Sequence, residues 1–321
     1  MKNKILLISG DPNSINSELI FKSWKRLNTS VKKKIYLISN FELIKKQFKI
    51  LKYSIHIKKV KNIETHVNDD QLKIINIDLK FTNPFKVPAN KASKFVQNSL
   101  DTAHSLALNK NVSGIINCAI DKSLLGKNKI GVTEYLATKC NLKNNSEVML
   151  IRNKKFSVSP LTTHIDVKNI SKKITKKSII NKVKTINNWY KKYLKIKPRI
   201  GVLGLNPHNA ELRKNSEENT IIIPAISKLK KLNINIKGPL SADTIFINEF
   251  RNYDIVLGMF HDQVLAPFKS IFKFDAINTT LGLKYLRASP DHGTAVELIG
   301  KNKANIDSFL NCISFINKFG K

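Results

Sequence analysis

Three of the seven histidines share one local context, an apolar run followed by a short turn that ends on the imidazole. They are His164 in Ser159-Pro160-Leu161-Thr162-Thr163-His164, His208 in Gly204-Leu205-Asn206-Pro207-His208, and His261 in Val256-Leu257-Gly258-Met259-Phe260-His261. Neutral imidazole binds borderline divalent metals well, and three such ligands with one position left open describe a catalytic metal site. Their separations match no local metal motif, so scattered loop histidines are the alternative reading. His56, His66 and His104 lack the context and read as surface or core residues.

A second group follows His261. Lys269, Asn278 and Arg287 are evenly spaced, and two cations with an amide near a metal suit a small anionic substrate carrying carboxylate or phosphate. In so lysine-rich a chain Lys269 also reads as a solvated charge. Arg287 carries more weight, being one of only six arginines and sitting in an apolar-flanked turn before Asp291-His292-Gly293-Thr294. Asp243, in Pro239-Leu240-Ser241-Ala242-Asp243, is a candidate general base, since a carboxylate beside a metal-held hydroxyl can take its proton. Capping a helix that begins at Thr244 is the alternative.

Such residues need a scaffold that brings distant turns together. Short apolar runs at 4–9, 35–39, 72–77, 114–117, 148–151, 199–205 and 254–260 read as strands, several apolar at consecutive positions as in sheets covered on both faces. Amphipathic stretches between them read as helices: one capped by Ser17 and running through Trp24, one over 90–109, and one over 178–195 that Pro198 ends. The alternation predicts an α/β protein with a largely parallel sheet, whose ligands lie beyond the carboxyl ends of the strands. A polar, turn-rich stretch near 137–146 marks the expected boundary between two domains.

Composition sets the outer limits. The 321 residues, 42% of them hydrophobic, exceed one small core and exclude wholesale disorder. Lys+Arg outnumber Asp+Glu by 56 to 23, a net +33. That surplus is almost all lysine and is spread evenly, whereas arginine is the side chain that reads bases and phosphates by its planar fork. Nucleic acid is therefore not the expected partner. The three cysteines Cys118, Cys140 and Cys312 form no C-x-x-C and suggest neither a disulfide framework nor a thiolate zinc site. The apolar run 5–8 is too short for a signal peptide, and no stretch approaches the ~18 apolar residues of a membrane span. A soluble cytoplasmic protein is expected.

Six motifs in order carry a resemblance that runs nearly end to end: Thr162-Thr163-His164, Asn206-Pro207-His208, Gly238-Pro239-Leu240-Ser241-Ala242-Asp243-Thr244, Tyr253-Asp254 through His261-Asp262-Gln263, Asn278-Thr279-Thr280-Leu281-Gly282-Leu283, and Asp291-His292-Gly293-Thr294-Ala295. Together they resemble the 4-hydroxythreonine-4-phosphate dehydrogenase (PdxA) family. The stretch 291–305 also resembles the adenosine-binding loop of isocitrate and isopropylmalate dehydrogenases, which lack a Rossmann glycine fingerprint.

The resemblance implies two α/β/α domains with largely parallel sheets, 1–138 plus about 290–321 and 139–289, and an active site in the interdomain cleft. It implies NAD-dependent oxidation of 4-phosphooxy-L-threonine to a β-keto acid that loses CO2, giving 3-amino-1-hydroxyacetone 1-phosphate on the route to pyridoxal phosphate. By position, His164, His208 and His261 would hold one divalent metal (Zn, Mg, Co or Mn) per subunit. Thr133, Lys269, Asn278 and Arg287 would contact substrate, and His292, Gly293 and Thr294 the cofactor, NAD or alternatively NADP. The family's site lies at a homodimer interface with one histidine from the partner subunit, and His261 is the expected ligand in trans.

Departures from the family pattern are concrete. Its first loop carries two glycines where this chain has Ser14 and Asn16, and glycine there supplies positive φ or close backbone approach. A substrate-contacting histidine is replaced by Val132, the loss of a charge-assisted hydrogen bond costing roughly 1.5–3 kcal/mol. The glycine pair after the second metal histidine is Leu212-Arg213, and the family's Pro-Ile-Asn-Lys reads Ala119-Ile120-Asp121-Lys122. A drifted orthologue and a paralogue acting on 4-phosphothreonate or 4-phosphoerythronate both fit these changes. A non-catalytic anion- or nucleic-acid-binding protein is the reading from another class.

Overall fold

The computed structural model describes residues 3–65, 70–126, 131–142, 146–273 and 275–320. His66 and part of the expected linker fall outside them. Twelve strands are present among the described residues: β1 (Lys4–Ile8), β2 (Ile35–Ser39), β3 (Ile57–Val60), β4 (Leu72–Asn76), β5 (Val112–Asn117), β6 (Val148–Arg152), β7 (Ser157–Pro160), β8 (Ile200–Leu203), β9 (Ile236–Leu240), β10 (Ile255–Gly258), β11 (Ile277–Leu281) and β12 (Leu286–Pro290). The chain divides into two compact units, 1–141 with 283–321 and 142–282.

In the first unit the strands run β3-β4-β2-β1-β5-β12, and every neighbouring pair is parallel. All five residues of β1 and of β2 are buried, as strands covered on both faces require. The cover includes the helix Ala89–Ala107, which buries Phe95, Val96, Leu100 and Ala103, and the helix Asp307–Phe319, which buries Phe309, Cys312 and Ile316. The last strand, β12, pairs with β5. Arg287 therefore lies in a strand of the first unit, not in a turn of the second as the sequence suggested.

The second unit orders its strands β11-β6-β7-β10-β8-β9. The first two neighbouring pairs are antiparallel and the remaining three parallel. Its core joins Val158, Val256 and Leu203 to Phe156, Phe250 and Phe268. The helix Lys176–Trp189 is opened by Thr175, whose hydroxyl accepts the Ser178 N–H at 3.1 Å while the Ser178 hydroxyl accepts the Thr175 N–H, a capping box. Ser17, by contrast, caps nothing: the helix Asn16–Arg26 starts one residue earlier, and Ser17 is buried inside its first turn. Among the described residues no helix is long and apolar enough to cross a membrane.

The two altered glycine sites behave oppositely. Neither Ser14 nor Asn16 adopts positive φ. Asn16 instead donates through Nδ2 to the Ser9 and Ala119 carbonyls at 2.9 and 2.8 Å, tying the end of β1 to that of β5. The Ser14 hydroxyl donates to the Asp11 carbonyl at 2.6 Å. The glycine this loop does need is Gly10, at φ +74°, where a Cβ would lie 2.5 Å from the Ala119 oxygen. In the second unit five consecutive non-glycine residues, His208 to Leu212, all have φ between 49° and 56°. Each pays the left-handed penalty of roughly 1–2 kcal/mol. Restoring glycine should thus have opposite signs at the two places. In urea unfolding, Leu212→Gly should gain about 1 kcal/mol, and Asn16→Gly should lose about 1–2 kcal/mol, because the Ser9 carbonyl loses the Asn16 donor and the Ala119 carbonyl keeps only the Asp11 N–H at 3.0 Å.

Candidate active site

Strands β7, β10 and β8 are adjacent and parallel, so their carboxyl ends lie on one edge of the second unit's sheet. His164 follows β7 by a short turn, and His261 opens the helix His261–Phe272 directly after β10. The segments leaving these two strands stay zipped together. Leu161 N–H donates to the Gly258 carbonyl at 2.7 Å, and the Thr162 hydroxyl donates to the Met259 carbonyl at 2.7 Å. The two imidazoles consequently end with ring centroids 5.7 Å apart. His261 Nδ1 lies 2.7 Å from Asp262 Oδ1, which leaves Nε2 for a ligand, the usual arrangement of a metal-binding histidine backed by a carboxylate.

Gln263 extends the tie to the third strand. Its Oε1 accepts the Met259 N–H at 2.7 Å, and its Nε2 donates to the Gly204 carbonyl beyond β8 at 2.7 Å. The turn that carries His208 is held from below by Glu218, which is fully buried. Oε1 of Glu218 accepts the Leu205 and Asn206 N–H groups at 2.8 and 2.9 Å, and Oε2 accepts Asn206 Nδ2 at 3.1 Å. The left-handed turn then carries His208 outward, with 70% of its side chain exposed. Its Nε2 lies 3.6 Å from Asp243 Oδ2 and its Nδ1 3.4 Å from Glu211 Oε1.

The structure thus brings His164 to His261 and His208 to Asp243, as two pairs. Among the described residues no three His, Cys, Asp or Glu side chains gather closely enough to hold one ion. Asp243 is the second residue of the helix Ala242–Ile245, whose cap position is Ser241. The capping alternative for Asp243 therefore falls. Lys269 is exposed on the helix His261–Phe272, and Asn278 sits in β11 with a buried Oδ1 that accepts no hydrogen bond.

The first unit holds the other expected residues. Thr133 lies in the first turn of the helix Val132–Lys139, half-buried beside Val132. Arg287 is 3% exposed, and its Nε donates to Asn117 Oδ1 at 2.7 Å. Burial lowers its pKa to about 10, offset in part by Cys312 and Glu134, so it remains a cation at neutral pH. His292 points Nδ1 at the Gly293 carbonyl, 3.0 Å away, while its Nε2 is buried without a partner. A Cβ on Gly293 would meet no atom within 4 Å. Paired imidazoles suit a divalent ion, and the orphaned Asn278 Oδ1 and His292 Nε2 suit polar ligands, so the side chains fit both implied groups.

Glu218, Gln263 and Thr162 escaped the sequence reading as site residues. Thr162 and Gln263 lie within two residues of His164 and His261, whose chemistry is the stronger signal in those motifs. Glu218 gives no signal by spacing, since an acid in a polar stretch ordinarily marks surface. Burial raises the Glu218 pKa, and the backbone and side-chain hydrogen bonds from Leu205 and Asn206 more than reverse this, leaving it below its ordinary value of 4.5. Its stabilising effect is therefore whole above pH 4.5 and is lost as pH falls through the lowered native value. Glu218→Gln should cost about 1–3 kcal/mol at pH 7. The gap to the unsubstituted protein in chemical unfolding should narrow when the pH is taken below 4, and a gap independent of pH would contradict this assignment.

The profile of the family described as pyridoxal phosphate biosynthetic protein PdxA matches residues 30–316. A 4-hydroxythreonine-4-phosphate dehydrogenase of Sulfurihydrogenibium sp. is 34% identical over 319 residues, covering 97% of this chain and 96% of the relative. The enzyme of that name from Aquifex aeolicus is 34% identical, with 98% of each chain covered. The crystal structure of a 4-hydroxythreonine-4-phosphate dehydrogenase from Burkholderia phymatum superposes with a TM-score of 0.81 at 26% identity, covering 99% of both chains. With the profile match spanning most of its length and relatives aligned nearly end to end, the chain belongs to the PdxA family of NAD-dependent, metal-requiring decarboxylating dehydrogenases.

Proposed function

We propose that this protein oxidises the secondary hydroxyl of 4-phosphooxy-L-threonine with NAD, giving a β-keto acid that decarboxylates to 3-amino-1-hydroxyacetone 1-phosphate. The observation that carries the reading is the adjacency of the His164 and His261 imidazoles at the ends of neighbouring parallel strands. A divalent ion held there would supply Lewis-acid stabilisation of negative charge on the substrate oxygen. Asp243 is the carboxylate proposed to take the hydroxyl proton as hydride passes to the nicotinamide. Lys269 and Asn278 orient the anionic substrate, the orphaned Asn278 Oδ1 accepting from its hydroxyl or ammonium group. Thr133 and the buried cation Arg287 are the first unit's proposed contributions, with His292, Gly293 and Thr294 at the cofactor. A cytoplasmic location is part of the proposal.

The protein is further proposed to act as a homodimer, with a different histidine in trans from the one the sequence suggested. His164 and His261 stand together in one chain, so the remaining ligand, His208 of the partner subunit, completes the set, and Asp243 beside it arrives with it. Exposed apolar residues flank these donors in sequence: Val167 at 81%, Ile247 at 69% and Leu212 at 51%. Apolar side chains left in water beside incomplete metal ligands suit coverage by a second copy.

Two measurements test this. NADH formation from 4-phosphooxy-L-threonine, run beside 4-phosphoerythronate and 4-phosphothreonate, should show turnover on the amino acid. Turnover on the other two alone would assign the replaced histidine position, Val132, to a paralogue's pocket, and silence on all three would remove the proposal. Second, inactive His164→Ala and His208→Ala proteins, dissociated and reassociated together, should recover about a quarter of full activity, because half the dimers carry one intact site of two. Mixing His164→Ala with His261→Ala should recover none. The reverse pattern would return His261 to the partner's role.

A further inference from the structure

The segment 294–306, which continues from the residues proposed to meet the cofactor, His292, Gly293 and Thr294, is fastened at both ends to one helix and its cap. At its start, the Thr294 carbonyl accepts the Ile15 N–H at 3.2 Å. At its end, the Ala304 N–H donates to Glu18 Oε1 at 2.8 Å. Between them, Lys22 Nζ donates to the Asn302 carbonyl at 2.9 Å while pairing with the same Glu18 oxygen at 2.7 Å. Beneath the segment Ile15, Leu19, Ala304 and Ile306 form one buried cluster, with Leu298 and Ile299 packed against it. Tyr53, stacked on Phe21 at 4.0 Å, meets Asn302 Oδ1 through its hydroxyl at 3.2 Å.

Glu18 is the centre of this fastening and an expensive residue to keep there. It is 1% exposed, and its carboxylate accepts at Oε1 alone, from Lys22 and Ala304, while Oε2 is buried without a partner. A buried charge satisfied at one oxygen gives less stability than a well-packed apolar side chain of similar volume. What an apolar residue lacks is an acceptor aimed at the Ala304 N–H and an anion to hold Lys22 over the Asn302 carbonyl. We propose that Glu18 is a positioning residue for the cofactor: through Ala304 and Lys22 it sets the conformation of residues 294–304 before NAD arrives. Preorganising the segment lowers the ordering cost of binding. Removing Glu18 should therefore weaken NAD binding and leave the metal pair in the second unit unaffected. The inference rests on the cofactor reading of residues 292–294.

The test compares Glu18→Ala, Glu18→Gln and Lys22→Met with the unsubstituted protein. Amide hydrogen exchange over 294–306 is measured without cofactor, and NAD affinity by calorimetry. Glu18→Ala should speed exchange of the Ala304 amide and weaken NAD about tenfold, the affinity change that a loss of 1.4 kcal/mol produces. KM for NAD should rise with kcat nearly unchanged, and metal content should stay at the level of the unsubstituted protein. Glu18→Gln keeps an acceptor for Ala304 and should recover most of the loss. If Glu18→Ala does not fold, Lys22→Met still reports on the Asn302 tether. Unchanged exchange in the folded variants overturns the positioning role. Faster exchange with unchanged NAD affinity overturns it as well, and Gly293→Ala then locates the fault. A Cβ there meets no protein atom, so unaltered NAD affinity in that variant would mean that the segment does not bind the cofactor at all.

Discussion

Parallel pairing of β7, β10 and β8 is the constraint on which the second unit's candidate site depends. Parallel strands put like ends on one edge, so whatever follows three adjacent strands must emerge there together. Histidines separated by long stretches of sequence become neighbours through hydrogen-bond register, not through any local motif. The register continues past the strands in the Leu161 and Thr162 bonds to Gly258 and Met259, which is why His164 and His261 finish as a pair. His208 leaves from the same edge, but its left-handed turn carries it to Asp243. One edge thus presents two separate pairs, His164 with His261 and His208 with Asp243.

A second device recurs in both units. A buried glutamate accepts backbone N–H groups from a loop that follows a strand: Glu218 beneath Leu205 and Asn206, and Glu18 beneath Ala304. Loops cannot bury unpaired N–H groups, and a carboxylate placed under one satisfies them and fixes the chain's path. The two cases differ in completeness. Glu218 uses both oxygens and has a pKa below its ordinary value, whereas Glu18 leaves one oxygen without a partner. The first therefore adds stability as well as position, and the second is held mainly for position.

The sequence allowed much of this to be read, with omissions that have physical causes. Strands buried on both faces announce themselves by unbroken apolar runs, so β1, β2, β4 and β10 were anticipated nearly to the residue. The omitted strands lack that signature. β7 reads Ser-Val-Ser-Pro, β9 contains Gly238-Pro239, and β12 buries Arg287 among small residues. Polarity made β12 look like a turn, and the boundary of the first unit was drawn beyond it. Histidine context was enough to place His164, His208 and His261 beyond the ends of β7, β8 and β10, because it follows from strand-end topology. Which two of them meet was not legible: that depends on the sign of φ over 208–212, where nothing in Asn209-Ala210-Glu211-Leu212 forecasts a left-handed path.

The altered first loop shows how such a chain tolerates its lysine-, asparagine- and isoleucine-rich composition. Asparagine replaces a family glycine at position 16, yet its side chain supplies the cross-strand donors that a glycine cannot, bridging the ends of β1 and β5. The substitution adds buried hydrogen bonds in place of backbone freedom, and the loop keeps its one indispensable glycine at Gly10. Leu212 has no such compensation, being half-exposed and left-handed with nothing gained. The replacement at position 16 is accommodated because its side chain reaches backbone acceptors, whereas Leu212 faces water in a left-handed conformation. The +33 surface belongs to the same pattern. Apart from Lys22, which pairs with Glu18, lysines in solvent change the field that anionic ligands meet without altering the buried carboxylates and strand ends that fix the loops, so surface charge can vary while that frame stays in place.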